Sequence, residues 1–241
     1  MSTASVAAVG EVRPVEVDLS AAARLIGEPA RAAMLNALLA GQALAAGELV
    51  RAAGVAAGTA SEHLARLLAG GMVEVVVAGR HRYYRLASPD VARALEALAL
   101  ISPTVPITSL RRSRADAALA AARTCYDHIA GRLGVALHDT LVERAALELG
   151  SDGYLLTDSG ETLLTGLGMD VTAARVRRRN FARPCIDFTE RRSHLAGALG
   201  ATICHWMLDT GWVVRRASGQ RSLRITDAGL RGLAEGLGIR A

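Results

Sequence analysis

The stretch from residue 57 to residue 86 decides the fold of this 241-residue chain, and it reads AGTASEHLARLLAGGMVEVVVAGRHRYYRL. In its first half, Leu64, Leu67 and Leu68 recur at helical spacing, and a glycine pair follows. Its second half holds a β-branched run over 73–77, a glycine turn and a returning run, which is the pattern of a β-hairpin. The stretch therefore predicts a helix followed directly by a hairpin.

Further helices are predicted on both sides of this stretch. Residues 18–26 have helical spacing, and Pro29 suits the first turn of the next helix. A short helix over about residues 46–53 precedes the stretch, and a last helix over about 90–100 follows the hairpin. The resulting order of helix, helix, helix-turn-helix, hairpin and helix predicts a winged helix-turn-helix domain.

The composition favours a negatively charged partner. The formal net charge is +5, and all 28 basic residues are arginine. Arginine suits bidentate contacts with phosphate groups and guanine edges, so duplex DNA is the first candidate. The three cysteines are too widely spaced to suggest a disulfide framework, and neither a signal peptide nor a transmembrane run is visible. We expect a cytoplasmic protein with no membrane partner.

The helix and the hairpin carry the side chains that we expect to contact DNA. In a helix-turn-helix, the second helix enters the major groove and presents its N-terminal residues to base edges. Short polar side chains allow a close approach there, and arginines at a hairpin tip suit the phosphates or minor groove beside the site. The predicted contact residues are Ala57, Gly58, Thr59, Ser61, Glu62, His63, Arg66, Arg80, His81 and Arg82.

Four strings in this region resemble the ArsR-type winged-helix repressors. Residues 27–31, with the leucine-rich helix after them, look like the opening of that family's domain, and residues 59–64 are similar to the core of its recognition helix. Residues 70–73 resemble the exit from that helix. Residues 79–86 read GRHRYYRL and resemble the family's wing, often Gly-Arg-x-x-Tyr-Tyr-x-Leu, which is the most specific of the four. The resemblance covers about residues 18–102.

The resemblance implies a dimeric regulator, usually a repressor, that dimerises through the first and last helices of the domain. A two-fold protein in turn implies an inverted-repeat operator. The chain departs from the family's metal-sensing members, because residues 47–53 contain no cysteine and residues 91–101 contain no histidine. Metal sensing is not expected at either of these usual places. The implied dimer seam consists of Leu19, Leu25, Leu95, Leu98 and Ile101.

The rest of the chain is predicted to form a second domain. Two similar strings, TDSG at 157–160 and TDAG at 226–229, each follow a β-like run and precede a helical pattern. We expect a long helix over about 115–133 and then an α+β domain with winged-helix-like elements. The fold class is mostly α with small β-hairpins, an α+β arrangement. The predicted boundaries are 1–17 for a flexible arm, 18–102 for the winged domain, 103–114 for a linker and 115–241 for a regulatory domain.

Two polar clusters in the second half form a candidate effector or thiol site. Cys125 and His128 would share one face of the predicted long helix, and Cys185, Asp187 and His194 lie further along the chain. Thiolates and imidazoles can ligate a transition metal or metalloid ion, and a thiolate near an arginine can sense oxidants. The plainer interpretation is that these cysteines are inert buried residues, as we expect for Cys204. A set of arginines between these clusters suits phosphate, an anionic ligand or solvent: Arg175, Arg177, Arg178, Arg179 and Arg183.

These observations predict a sequence-specific, DNA-binding transcriptional regulator. The first hypothesis is a repressor that binds double-stranded operator DNA as a homodimer and responds to a small-molecule or ion effector. One alternative is a repressor that senses thiol chemistry or a metal or metalloid ion through Cys125 and Cys185. Another is an architectural DNA-binding protein without an effector. We do not expect an enzyme, because no phosphate-binding loop, nucleophile elbow or carboxylate pair accompanies Cys125 and His128.

Overall fold

The computed structural model describes residues 17–103, 110–216 and 221–240. The first part begins with α1, which Asp18 caps by accepting a hydrogen bond from the Ser20 backbone N–H at 2.9 Å. Pro29 occupies the first turn of α2, as predicted. The elements in chain order are α1 (Leu19–Ile26), α2 (Pro29–Leu38), β1 (Leu44–Ala45), α3 (Ala46–Ala53), α4 (Ala57–Ala69), β2 (Val73–Ala78), β3 (His81–Leu86) and α5 (Pro89–Ile101).

The three strands form one antiparallel sheet in the order β1-β3-β2, in which Leu44 pairs with Tyr84 and Val73 pairs with Leu86. Strand β1 was not predicted. The inner faces of the helices and the sheet share one core that includes Met34 and Leu67. Burying one such side chain contributes roughly 1.5–3 kcal/mol, so this core holds α4 and the hairpin in fixed relative positions.

After helix α6 (Leu110–Ala121), the second part contains two copies of one arrangement. Each copy consists of a hairpin, a helix, a second hairpin and a second helix. The first copy is β4 (Arg123–Cys125), β5 (His128–Ala130), α7 (Gly131–Glu143), β6 (Leu147–Gly150), β7 (Gly153–Leu156) and α8 (Asp158–Gly166). After α9 (Thr172–Arg175), the second copy is β8 (Arg183–Ile186), β9 (Ser193–Ala196), α10 (Gly197–Asp209), β10 (Val213–Arg215), β11 (Leu223–Ile225) and α11 (Asp227–Gly232), followed by the π-helical turn Leu233–Leu237.

The amino-acid sequence carries the same repeat. The first copy reads RTCYD from residue 123 and HIAGRLG from residue 128, and the second reads RPCID from residue 183 and HLAGALG from residue 194. The two TDxG strings also hold equivalent positions, because each threonine caps the following helix through its side-chain oxygen. The helices of both copies bury one common core, in which Leu141, Leu199 and Met207 are at most 1% exposed.

The predicted long helix over 115–133 is wrong. Helix α6 ends at Ala121, and Cys125 and His128 lie on strands β4 and β5. Tyr126 between these strands has a φ of 59°, which a right-handed helix does not allow. His194 is likewise on a strand, because residues 193–196 form β9 and helix α10 begins only at Gly197.

Helix α6 also begins inside the predicted linker 103–114, so Arg111, Arg112 and Arg114 belong to that helix. Residues 104–109 of that linker and residues 1–16 of the predicted arm lie outside the described residues. None of the helices in the described parts of the chain is long and apolar enough to cross a membrane.

Candidate functional site

The outer surface of α4 and the tip of the hairpin are open to solvent. On α4, the inward residues Ala60, Leu64 and Leu67 are buried, so the helix turns its other faces outward. The Ser61 hydroxyl donates to the Ala57 carbonyl oxygen at 3.0 Å, which holds it on the exposed face. The predicted contact residues that the structure leaves exposed are Ala57, Gly58, Thr59, Ser61, Glu62, Arg66, Arg80, His81 and Arg82.

His63 differs from the other predicted contact residues. Its side chain is only 13% exposed, and its Nδ1 lies 3.3 Å from Arg31 Nη1. Its Nε2 lies 3.6 Å from an oxygen of Glu28, whose carboxylate also accepts the Arg31 backbone N–H at 2.9 Å. His63 therefore connects α4 to the start of α2, and we remove it from the expected DNA contacts.

The residues of the expected dimer seam divide into two groups. Leu19, Leu98 and Ile101 are exposed by 76%, 37% and 80%, although they are large and apolar. Leu25 and Leu95 are half-buried within the same chain: Leu25 lies against Gly70, and Leu95 packs on the winged-domain core. Exposed apolar residues on the first and last helices are what a helix-to-helix interface between two copies needs.

In the second part of the chain, four of the predicted effector residues converge. Cys125 on β4, His128 on β5, Cys185 on β8 and His194 on β9 place their ligand atoms within 4.8 Å of one another. The two Sγ atoms are 3.9 Å apart, and the two Nε2 atoms are 3.1 Å apart. We call these four residues the Cys–His cluster. Its members hold equivalent positions in the two repeat copies, so the cluster lies where the two copies meet.

Two aspartates stand behind the histidines of the Cys–His cluster. Asp127 Oδ1 lies 3.2 Å from Nδ1 of His128, and Asp187 Oδ2 lies 3.9 Å from Nδ1 of His194. Asp187 is fully buried and contacts the Arg123 guanidinium at 2.8 Å. It also accepts the Gly131 backbone N–H at 2.6 Å. Asp187 was predicted as an effector residue, but these contacts make it a support for the cluster.

The cluster also changes the acidity of its own members. The hydrogen bond with Cys125, helped by the two histidines, holds the pKa of Cys185 far below its ordinary value. The same hydrogen bond and burial raise the pKa of Cys125. Burial disfavours the charged form of His128, yet hydrogen bonds with Asp127 and Cys185 raise its pKa overall. Cys185 is therefore the thiol that most readily becomes a thiolate.

Cys204 is the inert residue that the sequence predicted. It lies on α10 in the common core, and burial raises its pKa to about 12. It remains a neutral thiol under ordinary conditions.

Known proteins resemble both the winged part and most of the whole chain. A family model described as a helix-turn-helix domain matches residues 26–76. Over 205 residues the chain is 40% identical to the HTH-type transcriptional regulator YdfF of Bacillus subtilis (strain 168), an alignment that covers 85% of this chain and 90% of that protein. This chain belongs to the HTH-type transcriptional regulators. The ArsR-type resemblance and the winged helix-turn-helix fold predicted for this regulator are thereby confirmed.

Three solved structures are similar to about a third of this regulator. A homodimeric winged helix-turn-helix DNA-binding domain from Mycobacterium bovis, described as a possible ArsR-family regulator, is 31% identical and covers 34% of this chain and 76% of that chain, with a TM-score of 0.32. The cadmium metal-sensor CMTR from Mycobacterium tuberculosis is 30% identical over 39% of this chain and 100% of its own, with a TM-score of 0.31. The repressor BigR from Xylella fastidiosa is 26% identical over 36% of this chain and 88% of its own, with a TM-score of 0.32.

A cavity of about 580 Å³ connects the Cys–His cluster of this regulator with α5. Ala97 and Leu100 of α5 line one wall, and Cys125, His128 and Cys185 line the opposite wall. Three of the predicted arginines also border it, namely Arg178, Arg179 and Arg183. Of the other two, Arg175 pairs with Glu161 at 2.7 Å, and Arg177 is exposed.

The hairpin β4–β5 also docks directly on the winged domain. The Tyr126 backbone N–H donates to the Leu39 carbonyl oxygen at 3.1 Å, and the Thr124 hydroxyl donates to that of Ala40 at 3.2 Å. Arg221 of the second copy pairs with Glu96 of α5, and both side chains are buried. The Cys–His cluster is therefore rigidly linked to both α2 and α5.

Sequence reasoning missed Tyr126, Arg221 and Glu96, which make this junction, and Arg123, which holds Asp187 behind the cluster. The signal that could have found Arg123 is the string R-x-C-x-D, which occurs once in each repeat copy. Glu96 and Arg221 carry no local signal, because in the sequence each resembles an ordinary surface charge. Only the fold pairs them, across 125 residues, and buries both side chains.

Proposed function

We propose that this regulator is a repressor that binds an inverted-repeat operator as a homodimer, and that an effector bound beside α5 changes its affinity for DNA. The observation that carries the effector part is the cavity, because α5 forms one of its walls and also carries Leu98 and Ile101 of the expected seam. A ligand that fills this space contacts the dimer helix without touching DNA.

The DNA-binding part of the proposal rests on which residues are exposed. Thr59, Ser61 and Glu62 can reach base edges from the first turns of α4, and Arg80 and Arg82 can reach the backbone from the wing. The buried core beneath them keeps the helix and wing in one fixed relation. In a dimer, the two copies of α4 must lie about 34 Å apart to fit successive major grooves.

Effector control then follows from that spacing. A ligand can shift the equilibrium between two arrangements only by binding one of them better than the other. Docking of β4–β5 on α2 and the Arg221–Glu96 pair on α5 supply rigid contacts between the ligand wall and the seam. A small displacement of α5 in each subunit therefore changes the distance between the two reading helices.

The DNA-binding part is tested by selection of bound duplexes from a random pool with the full chain. We expect an inverted repeat whose half-sites are about one helical turn apart. Replacement of Ser61 by Ala should weaken binding to that site more than binding to unrelated DNA. Selection of no common sequence, or of a single unrepeated half-site, would contradict the proposal.

The effector part is tested by screening metal ions, oxidants and small molecules for release of the selected DNA from the full chain. Ile186 borders the cavity and is 45% exposed, so Ile186→Trp should obstruct it with little effect on folding. Val176→Trp is the matched control, because Val176 is 82% exposed and does not border the cavity. An active compound should lose its effect with the first variant and keep it with the second. An equal response of both variants would show that the effector acts elsewhere.

A further inference from the structure

The Cys–His cluster has a composition and shape that the proposed DNA-binding function does not by itself require. Two thiols and two imidazoles meet at one point, and they come from two hairpins, β4–β5 and β8–β9, whose cysteines are 60 residues apart in the chain. We propose that Cys125, His128, Cys185 and His194 together bind one tetrahedral divalent cation of the zinc class.

The interatomic distances fit such an ion. With metal–sulfur bonds of about 2.3 Å and metal–nitrogen bonds of about 2.05 Å, a regular tetrahedron places two sulfurs about 3.8 Å apart and two nitrogens about 3.4 Å apart. The cluster has 3.9 Å between its Sγ atoms and 3.1 Å between its Nε2 atoms. The sulfur pair is within about 0.1 Å of a tetrahedron's edge and the nitrogen pair within about 0.3 Å, so each of these two pairs needs only a small adjustment to bind the ion.

The charge of the site also fits. Cys125, His128 and His194 are at most 4% exposed, and an uncompensated charge at such a position would be costly. Two thiolates and two neutral imidazoles carry a formal charge of −2, which a divalent cation neutralises. Sulfur and imidazole donors without a carboxylate or water select zinc-class ions over magnesium or calcium.

The surroundings orient the two histidines as metal ligands. Each histidine turns Nε2 to the cluster. Nδ1 of His194 faces Asp187 at 3.9 Å, beyond hydrogen-bond distance, whereas Nδ1 of His128 lies 3.2 Å from Asp127 and is supported by it. Ligating histidines almost always have such a partner on the second ring nitrogen. The helices pack closely behind them: a Cβ added at Gly134 would lie 3.4 Å from the Cβ of His194, and one at Gly200 would lie 3.3 Å from that of His128.

The location differs from the two places at which metal-sensing members of the ArsR-type family usually carry their ligands. Helix α3 reads AGELVRAA and α5 reads PDVARALEALALI, so neither contributes a cysteine or histidine. Each repeat copy supplies one thiol and one imidazole, and the ion joins the two copies. Since Cys185 also borders the cavity beside α5, loss or exchange of the ion would reshape the cavity wall.

The test uses the full chain, reduced and stripped of metal, titrated with Co²⁺ as a spectroscopic probe. We expect saturation at about one ion per chain, with the intense visible bands of a tetrahedral ion and a near-ultraviolet thiolate charge-transfer band, all abolished by Zn²⁺. Cys185→Ala should reduce the charge-transfer band to about half or remove it, because one of two thiolate ligands is lost. Cys204→Ala is the matched control and should leave the spectrum unchanged. Far-ultraviolet circular dichroism shows whether each variant is folded.

The role of Asp127 in positioning His128 is tested by the affinity of the chain for Co²⁺. Asp127→Asn should keep the shape of the Co²⁺ spectrum, because all four ligands remain, and weaken Co²⁺ binding by about 10–100-fold, because His128 loses its charged support. A wild-type chain that gives only the weak spectrum of hexa-aqua Co²⁺ would overturn the site. A Cys185→Ala spectrum identical to the wild type would do the same, as would ready oxidation of Cys125 and Cys185 to a disulfide that added Zn²⁺ does not slow.

The metal site itself is independent of the proposed function, and only an effect of the bound ion on operator affinity rests on that function. Operator affinity is therefore measured separately for the metal-free and Zn²⁺-loaded chain. A tetrahedral Co²⁺ spectrum combined with equal operator affinities would support the metal site and count against effector control through this wall.

Discussion

Replacement of Gly41 by Ala should weaken the contact between the winged domain and the repeats. Gly41 follows α2 with a φ of +76°, and a Cβ there would lie 2.0 Å from the carbonyl oxygen of Tyr126. An L-residue in left-handed backbone costs about 1–2 kcal/mol. Moving a packed backbone oxygen out of the way costs about 1–3 kcal/mol more. We therefore expect Gly41→Ala to lower the free energy of unfolding by about 2–5 kcal/mol.

The matched control is Gly54→Ala. Gly54 has a φ of +66°, but no atom of the described residues lies within 4 Å of the added Cβ, so only the backbone strain of about 1–2 kcal/mol applies. Urea unfolding gives both values, and the fluorescence of Trp206 and Trp212 reports on the repeats because both tryptophans lie there. If the two variants lose the same stability within about 0.5 kcal/mol, the close packing of Tyr126 on the winged domain is refuted.

Three further variants test the core, the seam and the wing. Leu141→Ala should lower the free energy of unfolding in urea by about 2.7–5 kcal/mol, because Leu141 is buried. Leu149 is 75% exposed, so Leu149→Ala should change that free energy by less than about 0.5 kcal/mol, and similar losses in both variants would contradict the assigned core. Ile101→Asp should convert the dimer to monomers in sedimentation velocity, and Val77→Asp, exposed on the wing, should not; a dimer in both cases would place the seam elsewhere. Arg82→Ala should make the slope of log K against log salt shallower by about 1, and Arg132→Ala on α7 should not change it; equal slopes would exclude a phosphate contact by Arg82.

The sequence was sufficient for the helices and the hairpin of the winged domain because each of them carries a strong local signal, whereas the two-residue strand β1 carries none. Pro29 begins α2, leucines at helical spacing define α4, and the glycine turn at 79 defines the hairpin. His63 shows the limit of such signals. Its position on the recognition helix suggested a DNA contact, but the charges of Glu28 and Arg31, distant in sequence, hold it against the domain.

The repeats were harder to predict because their decisive contacts join distant residues. The alanine-rich pattern of α6 predicted a helix that continued through Cys125. On such a helix, Cys125 and His128 would share one face, so the sequence suggested the right pair of residues for the wrong reason. In fact the two residues come together across the end of a hairpin, where Cys125 pairs with His128. The second copy has a longer turn between its aspartate and histidine, which hides the correspondence when the sequence is read by spacing alone.

The duplicated architecture explains why the candidate metal site occurs at this position and how it differs on its two sides. One hairpin offers a single thiol and a single imidazole, and two donors are too few for a closed zinc-class site. Packing the two copies face to face brings β5 against β9 and completes four ligands with no further residues. The supports are unequal, however: Asp187 is fully buried against Arg123, while Asp127 pairs with Arg179 beside the cavity. The aspartate beside His194 is therefore fixed in the core, whereas the aspartate beside His128 and three of the four ligands border the cavity next to α5, so a change in occupancy would be felt first on the side of the dimer helix.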